Sequence, residues 1–320
     1  MRDSAWAKGI NVPNGAKFFA GAMALNGPRK RKQKKMKSLS EDIEKIILQH
    51  GNRGLDRLQK SLRPGYCRRA AQLILENKGV VVIGTGFPIS GSYESDGPIG
   101  AIALYRVLLD LGYEPVFACG PPISRILSNG FLTYELPLAD WEESRPAVKK
   151  ALRDLDPRLI VSVERPGMAA DGRYYNMRRR DITGAAAKFD LFLLESDVPS
   201  IAFGDGGNEI GMGNVFEALA KLDIIPSVTR CDELVIASVS NWGVYGVIAV
   251  LCDLLGRDLF ELVDPESIAN YLLANGCVDG VTNRKEASED GFPIEVSKSI
   301  IQQLRDLIFN PCSSVSHTRL

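Results

Sequence analysis

The chain has little of what many hydrolytic and metal-dependent sites are built from. Of its 320 residues only two are histidine, His50 and His317. A histidine-rich zinc site and a Ser-His-Asp triad therefore both lack material. The six cysteines (Cys67, Cys119, Cys231, Cys252, Cys277 and Cys312) are widely spaced and form no C-x-x-C pair. They read as reduced, structural thiols of a reducing compartment. No run of eighteen apolar residues occurs, and VYGVIAVLCDLLG at 244–256 is too short to span a bilayer, so it reads as a buried helix. There is also no net charge, with 39 basic residues against 39 acidic, and so no overall signature of nucleic-acid binding.

That neutrality hides a division. Residues 1–37 hold ten Lys and Arg against the single Asp3, which leaves an acidic body. The segment, including GPRKRKQKKMK at 27–37, is expected to be a disordered basic leader. A solvated tail, a targeting segment and sequence translated upstream of a start at Met36 are three accounts of it. An acidic body fits an enzyme whose local cationic groups, rather than its overall field, handle anions. The expected location is cytoplasmic, with the mitochondrial matrix as the alternative.

From residue 38 the pattern becomes periodic. SLSEDIEKIILQ places polar and acidic residues ahead of Ile43, Ile46, Ile47 and Leu48, as in a capped amphipathic helix. A helix over 66–77 leads into GVVVIGTG, an apolar run ending in glycines, the signature of a strand buried on both faces. Strands are then expected at 114–120, in FLTYELPL, at 158–164, in PSIAFGDGG and at 233–243, with helices between them. Such alternation predicts an α/β fold: three layers, with a mostly parallel central sheet and helices on both faces. The domain is expected to run from 38 to 310, ahead of a frayed tail at 311–320. Ligands of open α/β sheets bind outside the carboxyl ends of the strands, and four such ends carry polar groups.

The first, GTGFPISGSYESDGPIG (84–100), brings Thr85, Glu94 and Asp96 to a glycine-rich loop. It lacks the third glycine of a dinucleotide fingerprint, and no G-K-[ST] follows, so no nucleotide cofactor is expected. The second, ERPGMAADGRYYNMRRRDI (164–182), follows a buried strand. Glu164 and Arg165 suit a fixed pair there, and Arg165 or Arg178 suits a substrate carboxylate, with Asp171 and Asn176 beside glycine turns. Arg179 and Arg180 read as a solvated face. The third, GDGGNEIGMG (204–213), holds Asp205, Asn208 and Glu209 among five glycines, with a helix expected near Asn208. Its carboxylates suit Mg²⁺ or Mn²⁺, or equally a substrate ammonium. The fourth, ASVSNWGVYG (237–246), offers Ser240 and Asn241 at a strand-to-helix turn, where Asn241 can donate to an oxyanion.

Together GTGFP, ESDGPIGA, ERPGMAADGRYYNMR, GDGGNEIGMG and VSNWGVYG resemble the C-terminal domain of the D-glutamate cyclase family, over about residues 40–310. The resemblance implies conversion of D-glutamate to 5-oxo-D-proline and water, a lyase reaction. The family's vertebrate protein is mitochondrial and carries a different N-terminal domain, for which this chain has no room. Cyclisation needs a base for the ammonium, an acid for the leaving oxygen and a donor for the oxyanion. The candidates are Asp205 or Glu209, Glu94 or Asp96, and Asn208 or Asn241, with the base and acid assignments open. The expected partner is a small acidic amino acid, with neither nucleic acid nor membrane, and the oligomeric state is left open. Two other functions suit the same loops: a domain that binds an amino acid or dicarboxylate without turnover, and a metal-dependent phosphate-ester hydrolase.

Overall fold

The computed structural model describes residues 39–51, 58–89 and 91–310. The expected leader and frayed tail lie outside the described residues. Six strands form the central sheet: β1 (Val80–Thr85), β2 (Glu114–Cys119), β3 (Thr133–Glu135), β4 (Leu159–Val163), β5 (Ser200–Gly204) and β6 (Glu233–Ile236). Their spatial order is β3-β2-β1-β4-β5-β6, and all five pairings are parallel. In register, Ile83 lies between Phe117 and Val161, and Val161 continues to Ile201. β4 and β5 are wholly buried and β1 nearly so, as the apolar runs require of strands covered on both faces.

The principal helices are α1 (39–47), α2 (Tyr66–Glu76), α3 (Pro98–Asp110), α4 (Trp141–Leu155), α5 (Ser240–Leu255), α6 (Pro265–Ala274) and α7 (Ile294–Phe309). α5 is apolar all round and buried from Ser240 to Cys252, as an interior helix should be. α2, α3 and α7 pack on α5, and α6 packs on α3. α4 instead packs on the short helix Asp190–Leu194. The sheet is thus the middle of three layers. Among the described residues, no helix is long and apolar enough to cross a membrane.

Several elements are shorter than their sequence pattern predicts. FLTYELPL contributes only Thr133–Glu135 to the sheet. The expected strand over 233–243 stops at Ile236, because α5 has already begun at Ser240. No helix starts near Asn208. A single 3₁₀ segment, Met212–Val215, and one α-turn, Phe216–Leu219, follow the glycine-rich stretch. The reason is local: the Glu209 carboxylate turns back and accepts the N–H groups of Gly206 and Gly207, closing a turn in place of a helix.

Candidate active site

The strand order reverses between β1 and β4, and the loops leaving their carboxyl ends diverge there. This is where doubly wound sheets bind ligands. The loop after β1 passes through a small ribbon, Pro88–Ile89 with Ser92–Tyr93, and returns at Asp96 and Gly97 to start α3. Gly97 has φ +89, and a Cβ placed on it would stand 2.7 Å from Glu164 Cβ and 3.1 Å from Thr85 Oγ1. Only glycine permits this approach, which presses Asp96 against the end of β4.

α3 and α5 cap one another across the gap. Asp96 Oδ1 accepts from Asn241 N at 3.1 Å and its Oδ2 from Ser240 N at 3.2 Å, filling donors at the start of α5. In return, Asn241 Oδ1 accepts from Gly97 N at 3.0 Å and Gly100 N at 2.7 Å, at the start of α3. Such groups serve N-caps because the first N–H groups of a helix have no internal partner. Asp205, at the end of β5, also accepts from Ser240 N at 3.2 Å. Glu164 follows β4 in a left-handed conformation, φ 46, and accepts from the Ser240 hydroxyl. Strain of this kind at a non-glycine residue persists where the surroundings enforce it, and it clusters at functional sites.

The result is a buried centre of four acids. Asp96, Glu164 and Asp205 each offer an oxygen within 4.8 Å of the others, and these residues and Glu209 are at most 5% exposed. Burial, followed by the charge of Asp205 and a hydrogen bond with it, holds the Asp96 carboxyl well above the usual carboxylate range. Burial and then the charges of Glu209, Asp205 and Asp96 raise Glu164 likewise. Glu209 is pushed up to about 7 by burial and Asp205, against the opposing pull of its backbone N–H partners. Like charges this close cannot all ionise, so the centre retains protons near neutrality.

The other residues singled out from the sequence divide into two groups. Thr85, Ser240 and Asn241 join the four acids, and the Thr85 hydroxyl is fully buried with no hydrogen-bond partner. Asn208 is buried on the same turn as Glu209, with Nδ2 donating to Tyr175 O at 2.8 Å. Glu94 is half-buried beside Gly280, and its charge adds to the upward shifts of Asp96 and Glu164.

Arg165 is buried, but its guanidinium donates to Gly86 O at 2.5 Å and Ala187 O at 2.7 Å, so it fastens the loop after β1. Burial lowers its pKa. Glu164 and Arg165 thus turn to different partners rather than to each other. Asp171, Asn176 and Arg178 lie on the long loop after β4 and are spent on its local turns. Asp171 accepts from Tyr175 Oη at 2.6 Å, and Asn176 Oδ1 accepts from Arg178 N at 3.0 Å, with the Arg178 side chain exposed. Glu164 reads from the sequence only as a partner for Arg165, and the structure places it among the acids of the centre instead. Its signal was its place directly after the apolar run LIVSV, at the end of a central strand.

Hard oxygen donors in such an arrangement suit a divalent cation, and the orphaned Thr85 hydroxyl beside them adds a neutral oxygen. Fold and centre together define a doubly wound α/β protein with a buried carboxylate site at its switch point. Residues 43–305 match the family described as D-glutamate cyclase-like, C-terminal, and the chain belongs to that family. It is similar to the human protein named D-glutamate cyclase, mitochondrial, with 32% identity over 241 residues. That match covers 66% of this chain and 38% of the human protein, so the chain spans well under half the length of this relative. A solved exopolyphosphatase-related protein from Bacteroides fragilis is similar at 10% identity and a TM-score of 0.38, over 78% of this chain and 61% of that one. This likeness is too distant to bear on the site.

Proposed function

We propose that the chain is a D-glutamate cyclase-like lyase that converts D-glutamate to 5-oxo-D-proline and water at the four-acid centre. The observation that carries this reading is the convergence of four buried acids on one site at the strand ends, three of them with oxygens within 4.8 Å of one another, in a chain of this family. In the reaction, the amine nitrogen attacks the γ-carboxyl carbon, a C–N bond forms, a C–O bond breaks and the oxygen leaves as water. The substrate ammonium gives up two protons and the departing oxygen gains two.

Glu209 suits the base, since a group titrating near 7 both accepts and releases a proton readily at neutral pH. Asp96 and Glu164 suit the acid, because their raised pKa keeps a proton available for the leaving oxygen. The Ser240 hydroxyl and the backbone N–H of Asn241 orient these carboxyls at the start of α5. Asp96, Glu164 and Asp205 would hold Mg²⁺ or Mn²⁺ only in their ionised form, and the ion would then polarise the carboxyl under attack in place of their protons.

Purified chain incubated with D- or L-glutamate, with and without Mg²⁺ or Mn²⁺, should yield from D-glutamate a product lighter by one water in mass spectrometry. Tight binding without product would instead make it a binding domain. Metal-dependent phosphate release from esters, with glutamate untouched, would make it a hydrolase.

A further inference from the structure

We propose that Asn208 and Glu209, beneath the side chain of Met177, form the subsite that receives the primary ammonium group of the substrate. The inference rests on the amino-acid lyase reading above. Asn208 is 2% exposed, and the direction of its amide is fixed, because Nδ2 donates to the Tyr175 carbonyl at 2.8 Å, where an amide oxygen would meet only another acceptor. The carbonyl end of Asn208 therefore faces away from Tyr175, and that Oδ1 is buried with no hydrogen-bond partner.

It borders Gly206 on the face that the Met177 side chain covers. The point a Cβ on Gly206 would occupy lies 3.1 Å from Asn208 Oδ1, 2.7 Å from Glu209 Oε1 and 2.8 Å from Met177 Sδ. Two acceptor oxygens and a thioether thus surround one glycine face, and none of the three side-chain atoms is a donor. A buried acceptor left unsatisfied is costly, so one on a candidate site points to a missing donor.

An ammonium supplies three N–H donors and no lone pair, which matches this lining. A carboxylate would be repelled by Glu209 and would leave Asn208 Oδ1 unpaired. Sequence logic cast Asn208 as an oxyanion donor, but its amide NH₂ is anchored on Tyr175, and it is the acceptor end that remains open. Met177 is the way in: it is 37% exposed, and an unbranched thioether chain can swing aside without disturbing a packed core. The turn that carries it is held separately, by Asn176 Oδ1 accepting from Arg178 N and Arg180 N, each at 3.0 Å.

The test compares D-glutamate with glutarate, which has the same two carboxylates and no amine, by titration calorimetry. The parent chain should prefer D-glutamate by about tenfold or more, since a hydrogen-bonded charge is at stake. Asn208→Ala should erase most of that preference while leaving the glutarate affinity within about threefold. Gly206→Ala keeps the Tyr175 anchor and sets a methyl group against Glu209 Oε1, Met177 Sδ and Asn208 Oδ1, displacing them from the subsite, so in a protein that melts as a folded chain it should likewise erase the preference should Asn208→Ala fold poorly. No preference in the parent overturns the proposal, as does an equal loss for both ligands in a folded variant. Selective binding without formation of 5-oxoproline leaves the subsite standing and removes the lyase reading instead.

Discussion

Asp205 and Glu209 leave the same glycine-rich turn and do different things. Asp205 reaches the start of α5 and shares a hydrogen bond with Asp96, whereas Glu209 folds back on the N–H groups of its own turn. Asp205→Asn keeps an acceptor for Ser240 N and removes one charge from the centre. Turnover of D-glutamate should fall by about 10²-fold or more if the carboxylate takes part in proton transfer, with melting little changed. Parent-rate turnover would reduce Asp205 to a helix cap. For Glu209, a pKa of about 7 fixes the sign of the pH dependence. A base must be ionised, and its ionised fraction grows with pH, so kcat/KM should climb as pH rises through about 7 and then level off. Glu209→Gln should be slow and lose that limb, and a rate falling across the same window would make Glu209 the acid.

At the scale of elements, the reciprocal capping of α3 and α5 makes the site a property of how two helices meet. A Cβ on Gly100 would lie 2.9 Å from Asn241 Cα and 2.6 Å from its Oδ1, so Gly100→Ala must push the helices apart. Overpacking of this kind costs about 1–3 kcal/mol, a fall in Tm of several degrees in a chain of this size. Activity should drop with it, because the same helix ends hold Asp96. Gly130→Ala is the control, with nothing within 4 Å of the added methyl, and should melt as the parent does.

The hairpin Ser288–Glu289 with Phe292–Pro293 carries a second prediction, on stability. Glu289 is buried, accepts from Tyr245 Oη at 3.3 Å and from the Ser297 hydroxyl, and is pushed up to about 7 by burial. Its folded pKa lies above its unfolded value, so the folded state holds the extra proton. That contribution is fully present below the unfolded pKa and is lost as pH rises through about 7. Tm should therefore fall between about pH 5 and pH 8, and Glu289→Gln, which mimics the protonated acid, should make the dependence shallower while the raised acids of the active centre keep their own share. An unchanged slope in a folded Glu289→Gln protein would place the effect on other groups.

Across the whole molecule, local pattern exposed the strands and long-range pairing decided the site. β1, β4 and β5 were legible because unbroken apolar runs ending in glycine or a charge have few other solutions. Their order was not legible, since nothing in LIVSV states that it lies beside VVVIGT. That pairing is what sets Glu164 against Asp96. The left-handed backbone at Glu164 was equally hidden, because it goes with a long-range contact, the close approach of Gly97. Asp171 and Arg178 drew notice as polar groups among glycines, yet local turns use the carboxylate and leave the guanidinium in water.

The human relative is far longer than the matched region, which leaves room for chemistry outside it. Every group of the four-acid centre, with Thr85, Ser240 and Asn241, nevertheless comes from strand ends, helix starts and the glycine-rich turn after β5, between residues 85 and 241 of this chain. The capping contacts that orient those groups are internal as well. The purified chain alone should therefore convert D-glutamate, and the Asp205→Asn, Glu209→Gln double variant should not. Steady-state assays with product identified by mass spectrometry decide the matter. A chain that is folded by melting but silent, and that becomes active only on addition of the remaining part of the longer relative, would show that this centre binds or regulates while the bond-making step belongs to the other part.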